Sequence, residues 1–294
     1  MLKINDVIFY LTLFLIIIGF SVLINGLFLN FSKTLGVRSN SNNDGTIIRW
    51  GSTSKPAFGG ISFYILFLVS FVVASFKHFE TGDTATIGIL VASSLGFMIG
   101  LADDAYNTKP LMKFLGQVLC GVILVVTGTV ITLFDNQILN VALTIFWVIG
   151  MMNSINMLDN MDAITTSVSI FVCLTTLFLI VLDTNLHLSQ KAFFIICLVQ
   201  VGALLGFLYF NWNPSRMYMG DTGSQFLGVL LSAMGINYFW NTPFDAGYFS
   251  ASKQIILTAI IFIVPLVDTT TVVINRLAKK LLEFSILEVK APTV

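Results

Sequence analysis

Charged side chains are scarce in this sequence of 294 residues. Asp, Glu, Lys and Arg make up 10% of it and apolar residues 56%, whereas about a quarter of the residues in ordinary soluble domains are charged. The mean hydropathy is +0.91. These values exclude a soluble globular domain and indicate an all-α membrane protein that crosses the bilayer several times.

An excess of charge of either sign is also lacking, because 15 basic and 15 acidic residues give a formal net charge of zero. Nothing here indicates nucleic acid as a partner. Cysteine is rare, and Cys120, Cys173 and Cys197 each lie inside an apolar run without paired spacing. This placement favours small buried hydrophobic residues over a disulfide or a metal site.

Apolar runs long enough to span a bilayer occur nine times. They are residues 7–29, 58–76, 85–102, 114–134, 138–158, 163–182, 192–210, 224–239 and 254–274. The first run is too long for the core of a signal peptide, so we interpret it as a retained span. The sequence contains no internal repeat or low-complexity tract. We therefore predict one integral membrane domain over residues 1–294, a polytopic bundle of nine helices.

Basic residues in the connections predict the orientation of this bundle. One side has eleven of them: Lys33, Arg38, Arg49, Lys55, Lys109, Lys113, Arg216, Arg276, Lys279, Lys280 and Lys290. The other side has four: Lys3, Lys77, Lys191 and Lys253. The first side is predicted to be cytoplasmic, with the amino terminus outside and the carboxy terminus inside.

Two adjacent carboxylates, Asp103 and Asp104, directly follow the third apolar run. A charge near the hydrocarbon is costly, and carboxylates in such places usually mark a functional site. Two side by side also repel each other unless a cation joins them, and Mg²⁺ prefers oxygen ligands. The predicted orientation places Asp159, Asp162 and Asp221 on the cytoplasmic side of the membrane, together with this pair.

A second polar pattern follows the fifth run, where Asn153, Asn156, Asp159 and Asp162 recur every three residues. This spacing places neighbours on one face of a helix end. Two interpretations stay open at this point. The stripe contributes to a ligand site, or its amides only hydrogen-bond to neighbouring helices of the bundle.

A third pattern, NWNPSRMYMGDTGS, connects the seventh and eighth runs. Its glycines allow the backbone to approach a ligand, and a helix amino terminus beside glycines suits a phosphate. Arg216 is suited to an anionic oxygen, Asp221 to a metal, and Tyr218 to stacking on a base. The alternative is an ordinary tight turn with Asp as a cap, which we favour less.

Two lysines add positive charge on the same face. Lys55 precedes the adjacent glycines of residues 59 and 60 and can meet a phosphate as a point charge. Lys113 opens the fourth run, where it either snorkels or balances Asp103 and Asp104. Together these groups predict phosphoryl transfer at the inner membrane face, with an acceptor that comes from the lipid.

The motifs resemble those of the polyprenyl-phosphate N-acetylhexosamine-1-phosphate transferases, glycosyltransferase family 4. The resemblance covers residues 55–276 and rests on Gly-Leu-Ala-Asp-Asp at 100–104 with Lys113, on the Asn and Asp run of residues 153–162, and on Asn-Pro-Ser-Arg-Met-Tyr-Met-Gly-Asp-Thr-Gly-Ser at 213–224. It implies transfer of a sugar 1-phosphate from a UDP-N-acetylhexosamine to undecaprenyl phosphate, with release of UMP. The implied cofactor is Mg²⁺, with Mn²⁺ as the alternative.

The resemblance also implies roles for single residues. The catalytic residues are Asp103, Asp104, Asp159 and Asp162; the substrate-binding residues are Lys55, Lys113, Asn153, Asn156, Arg216 and Tyr218; and the metal ligands are Asp221 and Asn156. Arg216 matches the branch that transfers N-acetylglucosamine 1-phosphate. The implied location is the bacterial cytoplasmic membrane, and the implied reaction is the first step in the synthesis of a lipid-linked cell-envelope glycan. Membrane lipid is a further implied partner. Whether the protein forms a homodimer stays open.

The sequence departs from the family pattern in two places. Asn160 and Ala163 stand where the family has the two glycines of Asp-Gly-x-Asp-Gly. Relatives also continue past residue 276 into a histidine-rich loop and a further helix, whereas the two histidines here, His78 and His187, are predicted to lie outside the cell. We therefore expect a carboxy terminus truncated relative to the family. The alternatives are an inactive homologue that binds nucleotide or lipid, and a cation-coupled transporter.

Overall fold

The computed structural model describes residues 4–34, 55–78, 84–182, 188–242 and 250–289. Within these ranges the chain forms helices and no strand, which confirms the predicted all-α class. The helices are α1 Ile4–Thr34, α2 Gly59–His78, α3 Thr84–Tyr106, α4 Pro110–Val126, α5 Gln137–Leu158, α6 Ile164–Leu182, α7 Leu188–Asn211, α8 Gly220–Gly235, α9 Ser250–Ile261 and α10 Ile263–Val289, with a π-helical turn, Ile236–Trp240, directly after α8.

Helix α8 lies at the centre of the bundle. Every residue from Thr222 to Gly235 is buried, and α2, α3, α5 and α6 pack around it, while α1 and α6 pack on α7. Aromatic rings fill the contact between α2 and α8, where the Phe67 and Phe226 ring centroids are 5.0 Å apart. A helix buried on all sides needs small and apolar residues around its whole circumference, and α8 has them.

Six of the described helices are long and apolar enough to cross a membrane, namely α1, α2, α3, α5, α6 and α7. The α9–α10 pair, bent by 81°, would make a seventh span if it crosses as one unit. The chain is therefore a multi-pass membrane protein. Large exposed apolar side chains along α1, such as Leu15 and Leu27, fit a surface that faces lipid.

The predicted count of nine spans is not confirmed, for identifiable reasons. The fourth predicted run, 114–134, continues past the end of α4 at Val126, where Gly128 adopts a φ of +95°. The eighth run falls on α8, which has only 16 residues. The ninth is divided by the bend between α9 and α10. Hydropathy averaged over a run does not register a short turn, such as Thr127-Gly128-Thr129, between apolar stretches.

The predicted orientation stays a prediction. Several of the residues on which it rests lie outside the described residues, namely Lys3, Arg38, Arg49 and Lys290. His187 also lies outside them.

Two glycines bring neighbouring helices into backbone contact with the start of α8. A Cβ atom at Gly100 of α3 would lie 2.1 Å from the backbone oxygen of Asp221, and one at Gly60 of α2 would lie 2.3 Å from the backbone nitrogen of Gly223. Real Cβ atoms do not come this close, so a side chain at either position would push the helices apart. Small residues at such contacts are the usual means of close helix packing in membranes.

We expect Gly100→Ala to destabilise the protein by about 1–3 kcal/mol, the usual cost of overpacking a well-packed contact. The matched control is Gly150→Ala in α5, where a Cβ would meet nothing within 4 Å and alanine is the better helix former. Thermal unfolding in detergent measures both. Equal melting temperatures for Gly100→Ala and wild type would contradict the close contact of α3 with α8.

Candidate functional site

The side chain of Lys113 lies at the centre of a polar cluster at one end of the bundle. Its Nζ atom donates to Asp103 Oδ2 at 2.7 Å and to Asp221 Oδ2 at 3.1 Å, and it lies 3.5 Å from Asn156 Oδ1. These residues come from α4, α3, α8 and α5 in that order. One ammonium group therefore joins four helices and balances two carboxylates.

Local hydrogen bonds fix the carboxylate of Asp103. The backbone N–H and the hydroxyl of Thr108 both donate to its Oδ1 atom, at 2.9 Å and 2.6 Å. Thr108 belongs to the short connection between α3 and α4, in which Asn107 has a φ of +49°. Because this connection returns the chain at once, Lys113 in the first turn of α4 meets the last turn of α3.

The amide of Asn156 orients the carboxylate of Asp221. Its Nδ2 atom donates to Asp221 Oδ1 and to Ser224 Oγ, both at 2.8 Å. The amide oxygen is thereby turned toward Lys113. Asn156 and Asp221, the two predicted metal ligands, are thus in direct contact.

A layer of uncharged amides lies one helical turn from the cluster. Gln117 and Asn153 form a reciprocal pair, with Nε2 to Oδ1 at 3.3 Å and Nδ2 to Oε1 at 2.9 Å, and Gln117 Nε2 also donates to Gln225 Oε1 at 3.0 Å. Asn153 was predicted to bind substrate, but its contacts are those of an amide that joins neighbouring helices. Gln225 was not predicted to belong to the site. Its position four residues after Asp221 places it on the same face of a helix, and this spacing could have indicated it.

Asp104 takes part in a different set of contacts from Asp103. Its Oδ1 accepts a hydrogen bond from the Asp221 backbone N–H at 3.0 Å, and its Oδ2 accepts from the Thr222 backbone N–H at 2.8 Å and from the Thr222 hydroxyl at 2.6 Å. All three donors belong to the first turn of α8. The adjacent carboxylates, both predicted to be catalytic, are therefore directed at different partners.

Asp159 directly follows α5 and caps its carboxyl end through its backbone N–H. Part of the residue's surface stays accessible, yet its carboxyl lies among protein atoms. This burial raises the pKa of Asp159 well above its ordinary value, and the charges of Asp221 and Asp104 raise it further. The Asp159 carboxyl is thus within electrostatic range of the cluster.

Asp162 anchors the segment that leads from α7 into α8. Its Oδ2 accepts from the Ser215 backbone N–H at 3.0 Å and from Asn213 Nδ2 at 3.3 Å, and its Oδ1 accepts from the Ser215 hydroxyl at 2.8 Å. Burial alone would raise the pKa of Asp162, but the hydrogen bonds from Ser215 outweigh it and hold the pKa below its ordinary value.

Lys55 and Tyr218 extend this second group. Lys55 Nζ donates to Ser215 Oγ at 3.1 Å and lies 5.1 Å from the centroid of the Tyr218 ring. The Tyr218 backbone N–H donates to the carbonyl of Pro56 at 3.0 Å, and its carbonyl accepts from the N–H of Gly59 at 3.1 Å. The chain entering α2 is therefore paired with the chain entering α8, and the Tyr218 ring is partly exposed.

Arg216 was predicted to bind substrate, and in the structure its side chain contacts the end of α7. Its guanidinium donates to the carbonyl of Tyr209 at 3.1 Å and lies 4.7 Å from the centroid of the Tyr209 ring. Within the described ranges it has no ion pair with the carboxylates around Lys113. Tyr209 and Arg216 are both exposed at the end of α7. An exposed aromatic ring with a nearby cation is typical of a membrane boundary.

The donor atoms around Lys113 fit a divalent cation. Two carboxylate oxygens and one amide oxygen converge on the Lys113 ammonium, so a metal ion would share Asp221 and Asn156 with this lysine. Mg²⁺ is usually held by one or two carboxylates together with water and substrate phosphates. No group of three or more His, Cys, Asp or Glu side chains that could hold a metal occurs in the part of the chain that the structure describes. A divalent cation bound at Asp221 and Asn156 would therefore depend on a substrate for further ligands.

The family model for glycosyl transferase family 4 matches residues 86–238, which include every member of the Lys113 cluster. The chain belongs to glycosyl transferase family 4.

This family 4 member is similar to several curated proteins. A probable undecaprenyl-phosphate N-acetylglucosaminyl 1-phosphate transferase of Bacillus subtilis is 31% identical over 234 residues, 76% of this chain and 61% of the relative. A phospho-N-acetylmuramoyl-pentapeptide-transferase of Bacillus cytotoxicus is 28% identical over 237 residues, 74% of this chain and 71% of the relative. A decaprenyl-phosphate N-acetylglucosaminephosphotransferase of Mycolicibacterium smegmatis is 27% identical over 247 residues, 75% of this chain and 60% of the relative.

The family 4 chain thus spans about 61% of the length of the Bacillus subtilis relative. Both polar groups described above, apart from Lys55, fall inside the residues that match the family model. The predicted family resemblance is therefore confirmed, while the roles of the single residues stay predictions.

We expect Asp162→Asn to destabilise the family 4 chain by about 1 kcal/mol at pH 7, because the hydrogen bonds that end on a partly solvated carboxylate are weakened. Since the folded-state pKa of Asp162 is lowered, this stabilisation is present above the ordinary Asp pKa and is lost as the pH falls through the lowered value. The difference in melting temperature from wild type should therefore shrink below about pH 4.

The control for this prediction is Asp135→Asn, which changes an exposed carboxylate between α4 and α5. It should leave the melting temperature unchanged at every pH tested. A difference from wild type that stays constant as the pH falls would contradict the role given to the ionised Asp162.

Proposed function

We propose that this chain transfers an N-acetylhexosamine 1-phosphate, N-acetylglucosamine 1-phosphate in the first instance, from its UDP-sugar to undecaprenyl phosphate and releases UMP. The reaction takes place at the cytoplasmic face of a bacterial cytoplasmic membrane and begins a lipid-linked cell-envelope glycan. The names of the Bacillus subtilis and Mycolicibacterium smegmatis relatives support N-acetylglucosamine 1-phosphate as the transferred group and a polyprenyl phosphate as the acceptor.

The observation that carries the proposal is the convergence of Asp103, Lys113, Asn156 and Asp221 at one end of the bundle. A transfer between phosphates brings together several negative charges, so the protein has to supply positive charge and fixed polar groups. Lys113 supplies the first, and Asn156 with Ser224 fixes the position of the Asp221 carboxylate.

The position of this cluster suits a reaction between a soluble and a lipid substrate. Helices α3 and α5 are long enough to span a membrane, and the cluster lies at the carboxyl end of both. A site at the end of a span opens to water on one side and to lipid on the other. A UDP-sugar approaches from the water, and the phosphate of a polyprenyl lipid lies at the boundary.

The bond changes follow from this arrangement. An oxygen of the lipid phosphate attacks the β-phosphorus of the UDP-sugar, a new P–O bond forms, the bond from the β-phosphorus to the bridging oxygen breaks, and UMP leaves with that oxygen. Lys113 donates to phosphate oxygens, and Asp103, which accepts a hydrogen bond from Lys113, orients this ammonium toward the acceptor. Mg²⁺ held by Asp221 and Asn156 would supply further positive charge to the diphosphate.

The test is UMP release by detergent-solubilised protein supplied with Mg²⁺, undecaprenyl phosphate and UDP-N-acetylglucosamine. Turnover that requires all three components is the expected result. Release from another UDP-N-acetylhexosamine alone would change the donor, and no release from any of them would overturn the proposal.

We expect Asp221→Asn to lower Mg²⁺-dependent turnover by about 100-fold or more, because a neutral amide is a poorer ligand for a hard cation and loss of even an indirect partner costs about 10–100-fold in metal affinity. The control is Asp135→Asn, the same chemical change in an exposed connection at the opposite end of α4 and α5. Turnover by Asp221→Asn at the wild-type rate would remove Asp221 from the proposed metal site.

We expect Tyr218→Ala to raise the KM for the UDP-sugar about tenfold or more, since base stacking on an aromatic ring is worth about 1–3 kcal/mol, and to leave the KM for undecaprenyl phosphate nearly unchanged. Tyr218→Phe keeps the ring and should behave as wild type. If the lipid KM rises instead, the ring does not serve the nucleotide.

A further inference from the structure

Helix α8 begins without a side-chain cap of its own. Met219 occupies the N-cap position with helical backbone angles and makes no capping hydrogen bond through its side chain. The first amides of a helix have no partner within the helix and need one from elsewhere. At α8 this matters more than usual, because the first turn contains Asp221.

Asp104 of α3 supplies these partners across the helix contact. Its two carboxylate oxygens accept the backbone N–H groups of Asp221 and Thr222 and the hydroxyl of Thr222. This is the arrangement of an N-cap carboxylate, provided by a residue 117 positions away in the sequence. A negative charge at a helix amino terminus is also favoured by the helix dipole.

The backbone around this contact leaves no room for other side chains. Gly220 has a φ of +74°, and a Cβ there would lie 2.8 Å from Asp104 Oδ2. Gly100, one helical turn before Asp104, brings α3 against the backbone of Asp221. Both glycines therefore serve the approach of Asp104 to the start of α8.

Asp103 contacts the ammonium of Lys113, and Asp104 does not. Asp103 accepts from Lys113, the cation of the cluster. Both oxygens of Asp104 are instead engaged by donors of α8, and within the described part of the chain no ion pair links Asp104 to Lys113. Successive helical residues point about 100° apart, which explains how adjacent carboxylates reach separate partners.

We propose that Asp104 is a positioning residue rather than a catalytic one: by capping α8 it sets where the Asp221 carboxylate lies relative to Asp103 and Lys113, and so sets the affinity of the site for a divalent cation. This inference rests on the proposed function in one respect, the cation at Asp221.

The experiment compares Asp104→Asn with Asp104→Ala in the chain of 294 residues. An asparagine amide can keep the bonds at one oxygen and loses those at the other, whereas alanine loses all three. A cap therefore predicts a graded series, wild type, then Asn, then Ala. A carboxylate needed for its charge predicts equal losses in both variants, because both are neutral.

Three quantities are measured for wild type and for each variant. They are hydrogen exchange of peptides that contain residues 221 and 222, binding of Mn²⁺ followed by electron paramagnetic resonance, and UMP release. We expect exchange at the start of α8 to be about tenfold faster in Asp104→Ala and only slightly faster in Asp104→Asn. The Kd for Mn²⁺ should rise about tenfold in Asp104→Ala and about threefold in Asp104→Asn. The cation concentration needed for half-maximal turnover should rise by more than kcat at saturating cation falls.

Asp103→Asn serves as the comparison, since it also removes one carboxylate from the end of α3. It should leave exchange at residues 221 and 222 unchanged while turnover is lost. If Asp104→Ala does not fold, Asp104→Asn and Thr222→Val, which removes only the hydroxyl donor, still provide two steps of the series.

Equal loss of turnover in Asp104→Asn and Asp104→Ala, with wild-type exchange in both, would overturn the inference and make Asp104 a residue that acts by its charge. Unchanged exchange and Mn²⁺ affinity in Asp104→Ala would overturn it as well. Graded exchange and graded Mn²⁺ affinity in a protein that releases no UMP from any UDP-sugar would support the positioning role and overturn the proposed function instead.

Discussion

Neutralisation of charge at the end of an apolar bundle is the constraint on which the rest of this structure depends. Two carboxylates from α3 and α8 approach each other in a setting where like charges repel strongly, and the ammonium of Lys113 lies between them. The interaction explains why the connection between α3 and α4 is so short, since Lys113 has to return to the end of α3.

The central position of α8 follows from the same arrangement. Helix α8 is buried on all sides, packs along its whole length, and contributes its charged group, Asp221, at its first turn. Asp104 satisfies the amides of that turn, Asn156 orients its carboxylate, and the Asp162 group holds the segment that leads into it. The polar residues of three separate sequence motifs therefore act on one helix start.

Much of this could be predicted from the sequence, because it depends on local pattern. Long apolar runs predict helices, and the Gly-Asp-Thr-Gly sequence predicts that a helix begins near Asp221 with its backbone open to close contacts. What could not be predicted depends on contacts between distant residues. The partner of Asp104 lies 117 positions away, and the amide pair of Asn153 and Gln117 depends on the packing of α4 against α5. Arg216 was assigned by motif, but the nearest acceptor and ring belong to the end of α7.

The contacts of Gly60 and Gly100 with α8 have a mechanical meaning. Where two helices meet through side chains, a side chain can change rotamer when one helix shifts. At these two points backbone meets backbone, and no rotamer is available to absorb a displacement. Helices α2, α3 and α8 therefore behave near the site as a stiff unit. Gly228 of α8, where a Cβ would lie 2.5 Å from Met152 Cα, adds α5 to this unit. A rearrangement that accompanies a reaction cycle is then left to side chains such as Lys113, which connects α4 to the cluster through its ammonium.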